Sequence, residues 1–294
     1  MSQAQERQVR RRRVFYIPGY DPIHPRRYRE LYRKEGAAQA SISGYDIALA
    51  PKKTKGRYGW HVTGTIDGGS TETDIEVLVW SDIVRGSMDA GIAGTYLQLV
   101  RTAWTYIASG ALRRLMWLRK GPVIAALYPV GMLLAQLGLA LVLGWAAGAL
   151  AAAVLPAILG WIAAVPVIWG VLRWFRARDN RFFAYYLMHD YAFSAQDGGA
   201  YPPAQEARMA EFADQVAEAL STEIDELLIV GHSSGAYIAV SILADLIRAG
   251  RVPAGGPALS LLTLGHVVPM VSFLPAATRL RADLAYLSAR DEVT

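Results

Sequence analysis

Cysteine is absent from the 294 residues, and histidine occurs only five times. Without thiols the chain holds no disulfide and no thiolate metal site, although their absence is compatible with any compartment. His24, His61 and His189 are isolated singles, and no histidine pairs with carboxylates at metal-ligand spacing, so neither a metal nor another cofactor is expected. A glycine-rich phosphate loop is missing too, because Gly255-Gly256 is an isolated pair, and no internal repeat is visible. The largest absence is local: residues 121–172, a run of 52, contain no Asp, Glu, Lys, Arg or His.

That run sets the protein apart from an ordinary soluble chain. One crossing of a bilayer's hydrocarbon takes about 20 apolar residues, so there is room for two. Helices are expected over residues 123–143 and 150–171, with 144–148 as the turn between them. Pro129, Pro156 and Pro166 fall inside these helices, which membrane spans tolerate better than soluble helices do. Arg113, Arg114, Arg119 and Lys120 precede the run, and Arg173, Arg176 and Arg178 follow it. The positive-inside tendency therefore places both ends, and the domain they join, on the cytoplasmic side. Trp117, Trp161, Trp169 and Trp174 partly match interfacial belts, although Trp161 would sit deep. The competing arrangement is a hairpin lying flat on the bilayer or buried in a soluble core. It would need a polar face, for which the run offers only Gln136 with Gly and Ala.

Composition agrees with membrane residence: hydrophobic residues make up 53% of the chain, and the mean hydropathy is +0.22. The formal net charge of +5 comes with basic residues clustered at Arg10–Arg13 and beside the apolar run. Such placement suits an anionic membrane surface, so the lipid bilayer is the expected partner and nucleic acid is not. Residues 1–13 read as a basic, disordered tail without the apolar core of a secretory signal.

Around the hairpin the pattern is that of an α/β protein. Residues 14–17 form a strand broken by Pro18-Gly19-Tyr20-Asp21-Pro22, and residues 25–39 a basic helix. Residues 58–66 and 73–79 are strands joined across Asp67-Gly68-Gly69, a hairpin signal, and residues 91–110 are helical. Residues 182–193 form an aromatic stripe; 204–220 have helical spacing, 259–264 form another strand, and 276–288 a final helix. The implied organisation is a tail at 1–13, one domain in two parts at 14–110 and 179–294, and a hairpin insertion at 111–178. The sheet is expected to be doubly wound and mostly parallel, with an antiparallel start.

The stretch with chemical content begins at Glu226. Leu-Leu-Ile-Val leads into Gly231-His232-Ser233-Ser234-Gly235, and an amphipathic helix follows. A buried strand, G-x-S-x-G and a helix are the context a nucleophile elbow requires. Gly231 and Gly235 lack Cβ, so strand and helix can approach while Ser233 is held in a strained conformation with its hydroxyl projecting. The backbone N–H of Ser234, at the helix start, points where an oxyanion would form. A glycine- and serine-rich turn with no chemistry is the bland alternative.

These residues resemble the α/β-hydrolase superfamily, and the likeness extends to residues 12–22, similar to its early strand and oxyanion loop, and to 258–265, similar to the strand after the elbow helix. The resemblance implies a lipase- or esterase-like serine hydrolase with Ser233 as nucleophile, and the N–H groups of Ser234 and Tyr20 as oxyanion donors. His232 would be a shaping residue and not the base.

A serine hydrolase also needs a base, and usually an acid to orient it, in the order Ser, acid, His. After Ser233 the one histidine is His266, and Asp245 within the elbow helix is the one acid between them. The expectation is that the acid and base lie beyond Thr294, the last part of the fold being missing. The leading reading is a membrane-anchored hydrolase of an ester, of a lipid or another apolar acyl substrate. An acyltransferase would share the nucleophile, and a catalytically inert, anchored binding or scaffolding domain is the alternative from another class.

Overall fold

The structure, a computed structural model, describes residues 8–52, 56–118 and 120–294; residues 1–7 of the expected tail and the flanking Arg119 lie outside these. In chain order the elements are β1 (Arg11–Ile17), α1 (Arg26–Ser43), β2 (Asp46–Pro51), β3 (Gly59–Ile66), β4 (Gly69–Val77), α2 (Ser81–Ser87), α3 (Ile92–Ala108), α4 (Ala111–Leu118) and α5 (Lys120–Ala126). There follow α6 (Tyr128–Ala152), α7 (Ala157–Ala177), α8 (Asp179–Phe182), α9 (Ala184–Ala195) and a 3-10 turn at Gln196–Gly199. The chain closes with α10 (Pro203–Leu220), β5 (Glu226–His232), α11 (Gly235–Arg248), β6 (Ala258–Leu264), α12 (Val268–Ser272) and α13 (Thr278–Leu287).

The chain is α/β, with one mixed six-stranded sheet in the order β2-β3-β4-β1-β5-β6. β2, β3 and β4 are antiparallel neighbours; β1 runs parallel to both β4 and β5, and β5 to β6. The β3–β4 hairpin turns on Asp67 and Gly68, whose φ angles of 49° and 79° are the left-handed pair that a tight two-residue turn needs.

β1 begins at Arg11, three residues inside the expected tail. A run of arginines resembles a solvated arm until its partners are known: Arg12 meets Glu226 at 2.5 Å and Arg13 meets Glu76 at 2.8 Å. Glu76, 1% exposed, also receives Lys52 at 2.9 Å and Arg57 at 3.5 Å. Strand alternation then divides the core. Val14, Trp60, Val62, Ile75, Val77 and Val230 pack on one face with Tyr28 and Tyr32 of α1. Phe15, Ile17, Leu227 and Ile229 are buried on the other, where α11 lies against β1 and β5. At the outer edge of β6 the N–H of Thr294 donates to the Leu259 carbonyl at 2.9 Å, and the N–H of Leu261 donates to the Thr294 carbonyl at 3.0 Å. These two bonds form a parallel bridge opposite Ser260.

Two compact units divide the chain. The first comprises the described residues of Met1–Arg85 with Ala200–Val268 and Ala277–Thr294, and carries the sheet. The second, Gly86–Gly199 with Pro269–Ala276, is wider than the expected insertion at 111–178. The reason is a shared core: Ile92 and Leu99 of α3 and Tyr185 and Met188 of α9 pack with Leu133 and Ala140 of α6 and Leu172 of α7.

Both α6 and α7 are long and apolar enough to cross a membrane. The turn between them lies after Ala152, not at residues 144–148, through which α6 continues. Glycine serves close approach here: a Cβ on Gly144 would come 2.5 Å from Ile168 Cγ1, and one on Gly160 would come 2.6 Å from the Ala152 nitrogen. Small residues at a helix interface let two spans pack where no hydrophobic effect drives them together. Pro129 occupies the first turn of α6 and Pro156 caps α7, so Pro166 alone interrupts a helix.

Candidate active site

The carboxyl ends of β1, β5 and β6 bring the predicted serine hydrolase residues together. Ser233 follows β5, and its N–H donates to the carbonyl of Leu264, the last residue of β6, at 2.9 Å. Its φ is +53°, the left-handed region that a serine adopts only under constraint. The constraint has three sources. A Cβ on Gly231 would meet Ala236 Cα at 2.6 Å, and one on Gly235 would collide with the Ile17 carbonyl, so strand, turn and helix are closed against one another. The third source is Gly19, in the loop after β1, where a Cβ would sit 2.8 Å from Ser233 Cβ and 3.3 Å from its Oγ. The sequence shows Gly19 as a turn glycine, but nothing along the chain points to its partner.

The loop that carries Tyr20 is pinned. Trp80, 1% exposed, donates its indole N–H to the Pro18 carbonyl at 2.9 Å, and the Tyr20 ring lies edge-on to it with centroids 6.3 Å apart. Asp21 accepts from the Ile23 N–H at 2.9 Å and from the Tyr28 hydroxyl at 2.7 Å. Ser234, fully buried, is the N-cap of α11, so its backbone opens the helix beside the serine. Tyr20 and Ser234 thus stand on the two segments that flank Ser233. The role of Trp80 escaped the sequence reading because its partner Pro18 follows a different strand, whereas the Asp21 bonds to Ile23 and Tyr28 are local.

The titratable groups nearby are differently engaged. His232 is exposed and stacks on the Tyr16 ring at 6.3 Å. Burial pushes the Tyr16 phenol up to about 12, and the Asp21 carboxylate adds to the shift, so Tyr16 stays neutral at physiological pH. Asp245 is tied to Arg279 at 2.5 Å and to Arg248 at 3.5 Å. His24 accepts the Arg26 N–H at 3.3 Å through Nδ1. His266 is exposed, two residues beyond the carbonyl that holds Ser233, and among the described residues its ring has no partner. The Ser233 hydroxyl likewise makes no hydrogen bond among the described residues.

The arrangement offers a constrained hydroxyl between two backbone segments at the carboxyl end of the sheet, with an unengaged imidazole on the adjoining loop. Compared with known protein families, curated proteins and solved structures, the chain gives no match to any of the three.

Proposed function

We infer that the protein is a membrane-anchored serine hydrolase of the α/β-hydrolase type that cleaves a carboxylic ester, with Ser233 as its nucleophile. The observation that carries the reading is the +53° φ of Ser233 at a strand-to-helix turn closed by Gly19, Gly231 and Gly235. Strain of this kind concentrates at working sites and projects a hydroxyl from the backbone. The order of strands supports the same reading, because the elbow strand β5 lies between the strand that feeds the Tyr20 loop and the strand that follows the elbow helix.

In this chemistry Ser233 Oγ attacks the ester carbonyl while a base takes its proton, and the carbonyl oxygen becomes an oxyanion facing the N–H groups of Ser234 and Tyr20. Collapse expels the alcohol, which recovers the proton, and leaves an acyl-serine that water hydrolyses. We assign the proton to the imidazole of His266, on the loop that follows the Leu264 carbonyl bound by the Ser233 N–H. The two membrane-length helices favour an apolar acyl substrate drawn from a bilayer, and Arg113, Arg114, Lys120, Arg173, Arg176 and Arg178 favour a cytoplasmic catalytic unit.

A panel of p-nitrophenyl esters tests this: hydrolysis by the full chain is expected to disappear in Ser233→Ala. One observation favours the second reading, an inert anchored binding domain: the Ser233 hydroxyl has no base in hydrogen-bond contact. That domain would leave the whole panel untouched.

A further inference from the structure

The second unit holds a cavity of about 470 Å³ between α3 and α9, remote in sequence from the elbow. That volume falls within the range of small-molecule sites, roughly 300–1,000 Å³. Two nearly buried polar side chains line it: Thr102, 7% exposed, and His189, 5% exposed. His189 Nδ1 lies 2.8 Å from Gln98 Oε1, which accepts, so Nδ1 carries the proton and Nε2 is left as an acceptor. Burial, and then the charge of Arg176, hold His189 below its ordinary value, so the ring is neutral at pH 7. Neither Nε2 nor the Thr102 hydroxyl has a hydrogen-bond partner among the described residues. Both atoms are therefore free to meet a ligand in the cavity they line.

Arg101 and Asp197 line the same cavity with opposite charges, and neither is in an ion pair among the described residues. The cavity therefore presents one free cation, one free carboxylate, a hydroxyl and a hydrogen-bond acceptor. A simple anion would leave Asp197 unanswered, and a simple cation would leave Arg101 so. The complement is a zwitterion with a phosphate at one end and an N–H-bearing ammonium at the other.

The surroundings identify the source as a lipid. Leu97, Val100, Trp104 and Ile107 form an exposed apolar stripe along α3, and Trp104 also lines the cavity. An adjoining face of α3, with Ile92, Tyr96 and Leu99, shares its core with the membrane-length helices α6 and α7. We propose that this cavity binds the head group of a phospholipid with a primary ammonium, its phosphate on Arg101 and Thr102 and its ammonium on Asp197 and His189 Nε2. A choline head has no N–H to donate to Nε2 and fits less well. The proposal rests on the membrane-anchored reading of α6 and α7, with α3 lying against acyl chains.

Native mass spectrometry of the full chain in detergent tests it, with dioleoylphosphatidylethanolamine, dioleoylphosphatidylcholine and soluble glycerophosphoethanolamine as probes. The ethanolamine lipid is expected to be retained at about tenfold lower concentration than the choline lipid, the effect of one charge-assisted hydrogen bond. Asp197→Asn abolishes that preference, and Arg101→Gln weakens both lipids by about tenfold; both residues are exposed, so neither change disturbs the core. Equal retention of the two lipids, or a preference unchanged in Asp197→Asn, overturns the proposal. Soluble glycerophosphoethanolamine binding as tightly as the lipid overturns the lipid assignment. Alkaline carbonate extraction of membranes reads the anchoring separately: release of the chain would sink the anchor, while the lipid ratio in detergent still decides head-group recognition.

Discussion

Gly19 and Ser233 meet so closely that a single methyl at position 19 would lie 2.8 Å from the Ser233 Cβ. The contact joins the loop after β1 to the turn after β5, and both backbones are fixed by strand pairing. Gly19→Ala is therefore expected to destabilise the fold by about 1–3 kcal/mol, as overpacking does. Ser233→Gly relieves both the contact and the +53° φ, and is expected to stabilise by about 1 kcal/mol. Thermal unfolding of the two single variants and the double variant checks this: Gly19→Ala should cost less in the Ser233→Gly background.

If His266 takes the Ser233 proton, His266→Gln should slow ester hydrolysis by about a hundredfold or more, with the fold unchanged because the side chain is exposed. Comparison of kcat/KM for the two proteins, with thermal unfolding as the check on the fold, reads the effect.

Glu76 supplies a pH dependence unrelated to catalysis. Burial alone would push its carboxyl up, but hydrogen bonds and charge from Lys52 and Arg13 outweigh it and hold Glu76 below its ordinary 4.5. A depressed carboxyl contributes stability that is fully present above the unfolded value and is lost as pH falls below it through the folded one. Melting temperature should accordingly decline below about pH 4.5, more steeply in the unmodified chain than in Glu76→Gln. That variant strands buried cations and should cost about 3 kcal/mol at pH 7.

The absence of cysteine makes the hairpin easy to map. A single cysteine replacing Val154, in the turn between α6 and α7, and another replacing Arg113 should react with a membrane-impermeant maleimide from opposite sides of the bilayer. Labelling of both from one side would mean that the hairpin lies on the membrane and does not cross it.

Features set by neighbours along the chain were legible in the sequence. Gly231 lies within a few residues of the Ala236 backbone it must clear, so the elbow's tight turn follows from local spelling, whereas the Ile17 carbonyl that Gly235 must clear is remote in sequence. The antiparallel start likewise follows from Asp67-Gly68. Gly19 shows the limit, since its partner is carried by a strand from the far end of the chain. Gly144 and Gly148 misled for a related reason: glycine at a turn and glycine at a helix crossing look alike until the opposite helix, with Ile168 and Trp161, is in place. The same holds for Arg12 and Arg13, whose carboxylate partners Glu226 and Glu76 are remote in sequence. The apolar faces of α3 and α9 gave no sign along the chain that they would join the hairpin's core.

The most direct test of the account is fluorophosphonate labelling of membranes that carry the full chain, followed by identification of the modified residue. The account predicts a covalent adduct on Ser233, blocked by heat denaturation and absent from Ser233→Ala. A folded chain that takes no label, or a label that persists in Ser233→Ala, would contradict it and leave the sheet domain as an anchored binding module.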